Sequence, residues 1–330
     1  MLEQITIVGS GSWATALVKL FTEKGIRVFW HLEDREKAEF IQWNGYNPRY
    51  LSHVSLKKEL IFPMTETSLV FRNSKLVIFA IPSACLEDTL NQIDPYFLEG
   101  KQLAVSINGL IPNSGSTPSF FVSKHIGIDA NRIMVLGGPC YAEEIALQRN
   151  TYITISAENS VWVNDVCQSL ESNYLHTVPN YDPAGIEYIS IIKNIVGIAT
   201  GIADGLNYGD NFQAVLVSNA MRETSQFLGT IDDRPRDLFH SAYFGDLLLT
   251  AYSDYNLNRT LGKLIGKGIQ VNTAIHAMEK TAEGFHASRE MAPLYNKSDL
   301  NMPIIDAVHR ILHQQSNPFH EFKLLEGQLN

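Results

Sequence analysis

Apolar positions in the first half of the chain fall in short unbroken runs separated by amphipathic stretches. QITIVG (4–9), IRVFW (26–30), KLVIFAIP (75–82), QLAVSI (102–107) and RIMVLGG (132–138) each read as a strand. Their continuous apolar character fits strands covered on both faces of a parallel sheet. WATALVKLFTEKG (13–25) has apolar residues at helical spacing and stops at a glycine. Alternation of this kind predicts a doubly wound α/β domain.

The texture changes near residue 180. Long helical patterns take over at 184–206, 211–228, 270–283 and 303–315, with PNYDPAG (179–185) as a hinge between the two halves. The expected organisation is a dinucleotide-binding domain at 1–180 and an all-α domain at 181–330.

Composition narrows the class. The formal net charge of −9 argues against general affinity for nucleic acid or an anionic membrane. Cys85, Cys140 and Cys167 are odd in number and scattered, with no disulfide framework or zinc spacing, as in a reducing cytoplasm. The opening MLEQITIVGSG lacks the features of a signal peptide. No uncharged apolar run reaches the roughly 18 residues needed to span a bilayer.

IVGSGSWATAL (7–17) carries Gly9-x-Gly11-x-x-Ala14 between a strand and a helix. This is the context of a Rossmann-type dinucleotide fingerprint. Gly9 permits the tight turn, Gly11 the close approach of a pyrophosphate, and Ala14 tight helix–strand packing. The helix N-terminus adds amide donors. The bland alternative is a tight turn with no ligand. Residues closing the second strand point both ways on the 2′ position of the ribose: His31 stands at its end, followed by Glu33, Asp34 and Arg35.

YISIIKNIVGIATGI (188–202) places a single charge, Lys193, among isoleucines. An ammonium there must snorkel to solvent, enter a structural ion pair, or serve chemistry in a cleft.

Together with this segment, NPRYL (47–51), GGPCYAEEIA (137–146), GIADGLNYGDN (201–211) and YFGDLLLTAYS (243–253) make the chain resemble the NAD(P)-dependent glycerol-3-phosphate dehydrogenases. The resemblance runs from about residue 5 to about 320. The GPC.AEE form and MPIIDAV (302–308) are similar to the bacteroidete branch. The resemblance implies hydride transfer between NAD(H) or NADP(H) and C2 of dihydroxyacetone phosphate, serving glycerophospholipid synthesis. It also implies a cytoplasmic homodimer, with no stable membrane insertion and no metal. It makes Lys193 the acid/base at the C2 oxygen, where an ammonium both stabilises the developing alkoxide and supplies its proton. It implies a substrate site at Asn108, Gly138, Cys140, Lys193, Asn194, Asp246, Asn256, Leu257 and Asn258, with Asp246 able to pair with Lys193. The implied cofactor site is Gly9, Gly11, Ser12, Trp13, Ala14, His31, Asn108, Ala142, Leu257 and Glu283.

The chain departs from the family pattern twice. SINGL (106–110) puts Asn108 where the family has lysine, and Asn256-Leu257-Asn258 stands where it has Ser-Arg-Asn. A charge-assisted phosphate contact is worth roughly 1.5–3 kcal/mol, so two losses correspond to about two to four orders of magnitude in affinity. Arg259, and less directly Lys263, are candidates to compensate. Three readings follow: a working glycerol-3-phosphate dehydrogenase, a related reductase for a less anionic substrate, and a cofactor-binding paralogue without turnover.

Overall fold

The computed structural model describes residues 2–72, 74–158, 160–278 and 282–330. The chain forms two compact units: Met1–Ile107 with Thr117–Ile186, and Asn108–Ser116 with Glu187–Asn330.

Among the described residues of the first unit, eight strands form one sheet. They are β1 (Gln4–Val8), β2 (Arg27–His31), β3 (Ile61–Met64), β4 (Leu76–Phe79), β5 (Gln102–Val105), β6 (Ile133–Gly137), β7 (Thr151–Ser156) and β8 (Leu175–Asn180). The order is β3-β2-β1-β4-β5-β6-β7-β8. All neighbours are parallel except β6 and β7, where Leu136 faces Ile155 in antiparallel register. The five strands expected from sequence all form, and the N-terminal domain is of Rossmann type. The three not anticipated include both edges. β3 carries Pro63 and β8 carries Pro179, and edges are where a strand tolerates a residue that cannot donate to the ladder.

The second unit is helical. The expected helices appear as Pro183–Gly205, Gly209–Ile231 and Pro303–His313. The expectation of one helix over 270–283 is corrected. A single short helix, Val271–His276, forms there and buries only Ala274, too little apolar surface to propagate it. Residues 279–281 lie outside the described residues. A separate helix, Glu283–Lys297, then begins. Its inward face is Gly284, Ala287, Ser288, Met291, Ala292 and Tyr295, with Pro293 inside it, so small residues and a proline obscure its periodicity.

The Pro183–Gly205 helix is long and apolar enough by composition to cross a membrane, but 94% of its most apolar stretch is buried within the protein. It crosses the Leu257–Gly266 helix at backbone contact. A Cβ on Gly201 would lie 2.1 Å from the Arg259 carbonyl oxygen, and one on Gly262 2.1 Å from that of Ile198. Gly205 and Gly266 continue the seam. This close approach brings Asn258 beside Gly197, with its Cβ 3.3 Å from where a Gly197 Cβ would stand.

Candidate active site

The first unit presents the glycine turn. Gly9 has φ +127°, and a Cβ on it would sit 2.2 Å from the Ala80 carbonyl oxygen. Only glycine fits there. Its N–H donates to the His31 carbonyl at 3.2 Å, and the Gly9 carbonyl accepts from Trp30 Nε1 at 2.6 Å. A Cβ on Gly11 would meet no atom within 4 Å. Gly11 is the N-cap of the Ser12–Glu23 helix, and no side chain caps it. The amides of the first turn therefore lack intrahelical acceptors. Ala14 is buried beneath them.

Neighbouring residues lock this turn. Asn47 is fully buried and donates to the Ser10 carbonyl at 3.1 Å and to Thr15 Oγ1 at 2.8 Å. Its Oδ1 accepts from the amides of Arg49 and Tyr50. The NPRYL motif is thus a clamp on the glycine loop, and the candidate residues drawn from the sequence did not include Asn47. Trp13 Nε1 donates to Ser106 Oγ at 2.7 Å, and Ser106 Oγ donates to the Leu136 carbonyl. His31 is buried with its ring against Phe71, and burial holds its pKa below the usual imidazole value. Of the acids that follow, Asp34 caps the Arg35–Asn44 helix and Glu33 is exposed. Lys37 Nζ donates to the Ser10 carbonyl at 3.1 Å.

Gly138 follows β6 with φ +102°, and Cys140 Sγ donates to its carbonyl at 3.3 Å. Ala142 opens the short Ala142–Ala146 helix.

The second unit holds the lysine. Lys193 is 8% exposed, and Ile191, Ile192 and Ile195 around it are fully buried. Its ammonium does not snorkel. Nζ donates to Asp246 Oδ2 at 2.6 Å, and Asp246 is itself 2% exposed. Asp246 is the first residue of the Asp246–Tyr252 helix, directly after a π-helical turn, Ser241–Gly245. Such turns recur at functional sites because they re-aim one side chain. Here the ion pair fixes the Lys193 ammonium against the Asp246 carboxylate.

A hydrogen-bonded chain of amides runs beside Lys193. Asn194 Nδ2 donates to the carbonyls of Asn108 at 2.9 Å and Ser190 at 3.1 Å. Asn258 Nδ2 donates to Asn194 Oδ1 at 2.9 Å, and the Gly284 amide donates to Asn258 Oδ1 at 2.8 Å. Glu283, next to Gly284, opens its helix. Asn256 caps the Leu257–Gly266 helix, its Oδ1 accepting from the amides of Asn258 and Arg259. The side chain of Asn108 is exposed, and Leu257 is half-buried.

The cations proposed from sequence to compensate, Arg259 and Lys263, both engage carboxylates. Arg259 donates to Asp204 at 3.0 Å, to Asp254 at 3.1 Å and to the Ala251 carbonyl at 3.1 Å. Lys263 pairs with the same Asp204 at 2.8 Å. Both cations hold Asp204 below the usual carboxylate pKa, Lys263 by its hydrogen bond and Arg259 by its charge. The aspartate of GIADGLNYGDN, Asp204, therefore pairs with both.

Comparison with known proteins agrees with this geometry. The family model described as NAD-dependent glycerol-3-phosphate dehydrogenase N-terminus matches residues 4–163, and that described as its C-terminus matches residues 182–322. The glycerol-3-phosphate dehydrogenase [NAD(P)+] of Clostridium botulinum is 28% identical over 318 residues, 96% of this chain and 95% of the relative. Glycerol-3-phosphate dehydrogenase [NAD(P)+] 2 of Salinibacter ruber is 31% identical over 323 residues, 96% of this chain and 92% of the relative. The crystal structure of glycerol-3-phosphate dehydrogenase from Coxiella burnetii superposes with a TM-score of 0.89 at 26% identity, covering 98% of each chain.

Proposed function

Since the chain belongs to the NAD-dependent glycerol-3-phosphate dehydrogenase family, we propose that it reduces dihydroxyacetone phosphate at C2 to sn-glycerol 3-phosphate. The observation that carries this reading is the buried Lys193–Asp246 pair. In this reading residues 1–180 hold the dinucleotide and residues 181–330 the substrate and proton donor.

The glycine turn fits a dinucleotide. Gly9 is compelled by the Ala80 carbonyl, Gly11 leaves open the space a Cβ would fill, and the uncapped helix start offers its amides to a pyrophosphate. NADH or NADPH, when bound there, supplies the hydride. Lys193 does the rest of the chemistry at C2. Its ammonium polarises the carbonyl, stabilises the alkoxide as it forms, and gives Nζ–H to that oxygen. Asp246 holds Nζ in place through their hydrogen bond. Solvent returns one proton to the lysine in each cycle. In the reverse direction the neutral amine takes the hydroxyl proton.

Phosphate recognition is the weak part of the site, because Asn108 and Leu257 are uncharged and Asp204 engages their cationic neighbours. That observation favours a second reading, a reductase for a less anionic hydroxy or keto compound. The expected assembly is a homodimer in the cytoplasm supplying glycerophospholipid synthesis. The test is loss of NADH or NADPH absorbance with and without dihydroxyacetone phosphate. Substrate-dependent oxidation abolished by Lys193→Ala supports the proposal. Oxidation only with a non-phosphorylated carbonyl compound supports the second reading, and cofactor binding without turnover of any such compound defeats both.

A further inference from the structure

Trp13 is the second residue of the Ser12–Glu23 helix, two positions past the Gly11 N-cap, and it is only half-buried. Its ring packs on the core of the first unit. Its Nε1 donates to Ser106 Oγ at 2.7 Å. Ser106 is 8% exposed and follows β5 directly. The Ser106 N–H donates to the Phe79 carbonyl at the end of β4, at 2.9 Å. Its hydroxyl donates to the Leu136 carbonyl at 3.1 Å, two residues before Gly138. β1 and β5 are not neighbours, because β4 lies between them in the sheet. One serine therefore joins the helix after β1 to the ends of β4, β5 and β6. Doubly wound folds take their ligands at these carboxyl ends.

We infer that Ser106 is a positioning residue for the dinucleotide, fixing the Trp13 indole beside the glycine turn before the nucleotide arrives. In the dehydrogenase reading, on which this rests, Trp13 belongs to the cofactor site. The chemistry of the bond requires a hydroxyl. Indole Nε1 only donates and a carbonyl only accepts, so the group between Trp13 and Leu136 must accept once and donate once. Because Trp13 is half-buried, water can serve its N–H in the absence of Ser106. The bond therefore selects one ring orientation more than it rescues a buried donor. A ring already held in one rotamer loses little further freedom when the nucleotide binds. The second bond of the serine ties that ring to the strand end that leads into Gly138.

The experiment measures binding of NADH and NADPH to the full chain by nucleotide fluorescence, with tryptophan emission and melting temperature recorded on the same proteins. The variants are Ser106→Ala, Trp13→Phe and the double substitution. Ser106→Ala should weaken nucleotide binding by about three- to tenfold. In the Trp13→Phe background the same substitution should have almost no effect, because the interaction is already gone. The emission of Trp13, taken as the difference between a protein and its Trp13→Phe counterpart, should shift in Ser106→Ala. An equal loss in both backgrounds overturns the inference, since Ser106 would then act without Trp13. So does an unshifted Trp13 emission. A lowered melting temperature with nucleotide affinity kept also overturns it, and makes the bond a support of the fold alone. If Ser106→Ala does not fold, Trp13→Phe decides, because it leaves the Ser106–Leu136 bond in place: weaker binding supports the inference and unchanged binding overturns it. A wild-type chain that binds neither nucleotide defeats the dinucleotide reading itself, and this inference with it.

Discussion

Lys193 Nζ stands 2.6 Å from Asp246 Oδ2, and both residues are buried. Burial makes such a pair costly to form and costlier to break, because a lone survivor keeps its desolvation penalty. Asp246→Ala is therefore expected to lower stability by about 3–5 kcal/mol and to abolish turnover. Lys193→Met with Asp246→Leu should recover most of that stability and none of the activity. Urea unfolding of the three proteins checks this. Equal losses in the single and double variants would show that the pair contributes little through its charges.

The second prediction concerns phosphate. Arg259 and Lys263 are anchored to Asp204, so charge must be added rather than redirected. Asn108→Lys combined with Leu257→Arg should tighten dihydroxyacetone phosphate binding by about two to four orders of magnitude. Arg259→Ala should instead lower the melting temperature and leave KM nearly unchanged. A larger effect of Arg259→Ala on KM than on stability would return Arg259 to the substrate.

Two lysines show how far the sequence could be read. Lys19 in ATALVKLFTE and Lys193 in YISIIKNIVG both stand among apolar residues of a helix, and both are buried. Lys19 bonds Glu23 and Tyr174 at 2.7 Å each, a structural bracket within the first unit. Glu23 lies one helical turn from Lys19, but Tyr174 and Asp246 are brought to the two lysines by tertiary packing, which periodicity cannot show. Only the motifs around Lys193 marked it. The central strands were legible because a strand buried on both faces must be apolar throughout. β7, β8 and the Glu283–Lys297 helix were not, since their inward faces use threonine, glycine, alanine and serine. The fate of Arg259 was hidden for the same reason: its partner Asp204 is 55 residues away.

Glu223 and His313 set stability against pH in opposite senses. The Glu223 carboxylate, buried inside the second unit, accepts the amides of Ile304 and Ile305 at the start of the Pro303–His313 helix. Burial, more than those bonds can offset, pushes its pKa up to about 8. A carboxyl raised on folding binds more protons in the native state. Its contribution is full below about pH 4.5 and is lost as pH rises towards 8. Burial beside Arg289, His309 and His286 pushes His313 down to about 4. Its contribution is present above about pH 6.5 and lost as pH falls through 4. Glu223→Gln should flatten the alkaline limb of a stability–pH curve, and His313→Asn the acid limb. Chemical denaturation from pH 4 to 9 tests both, and an unchanged limb in either variant removes that assignment.

The last prediction joins helix packing to the site. Gly201 and Gly262 let two helices touch through their backbones, and that contact sets where Asn258 meets Asn194. A methyl group at either position would lie 2.1 Å from a carbonyl oxygen of the facing helix, a distance no rotamer change relieves. The helices must separate, or the chain must strain. Gly201→Ala and Gly262→Ala are each expected to cost about 1–3 kcal/mol, near the upper end because the obstacle is backbone. Separation of even a few tenths of an ångström lengthens the Asn258–Asn194 bond, so kcat should fall further than stability alone explains. Gly229→Ala is the control, since a Cβ there meets nothing within 4 Å. Glycine-to-alanine in an open helical position should stabilise by about 0.5–1 kcal/mol. Thermal unfolding and kcat measured on all three variants decide it. If Gly201→Ala and Gly262→Ala lose stability but keep full kcat, the helix contact supports the fold without setting the position of Asn258.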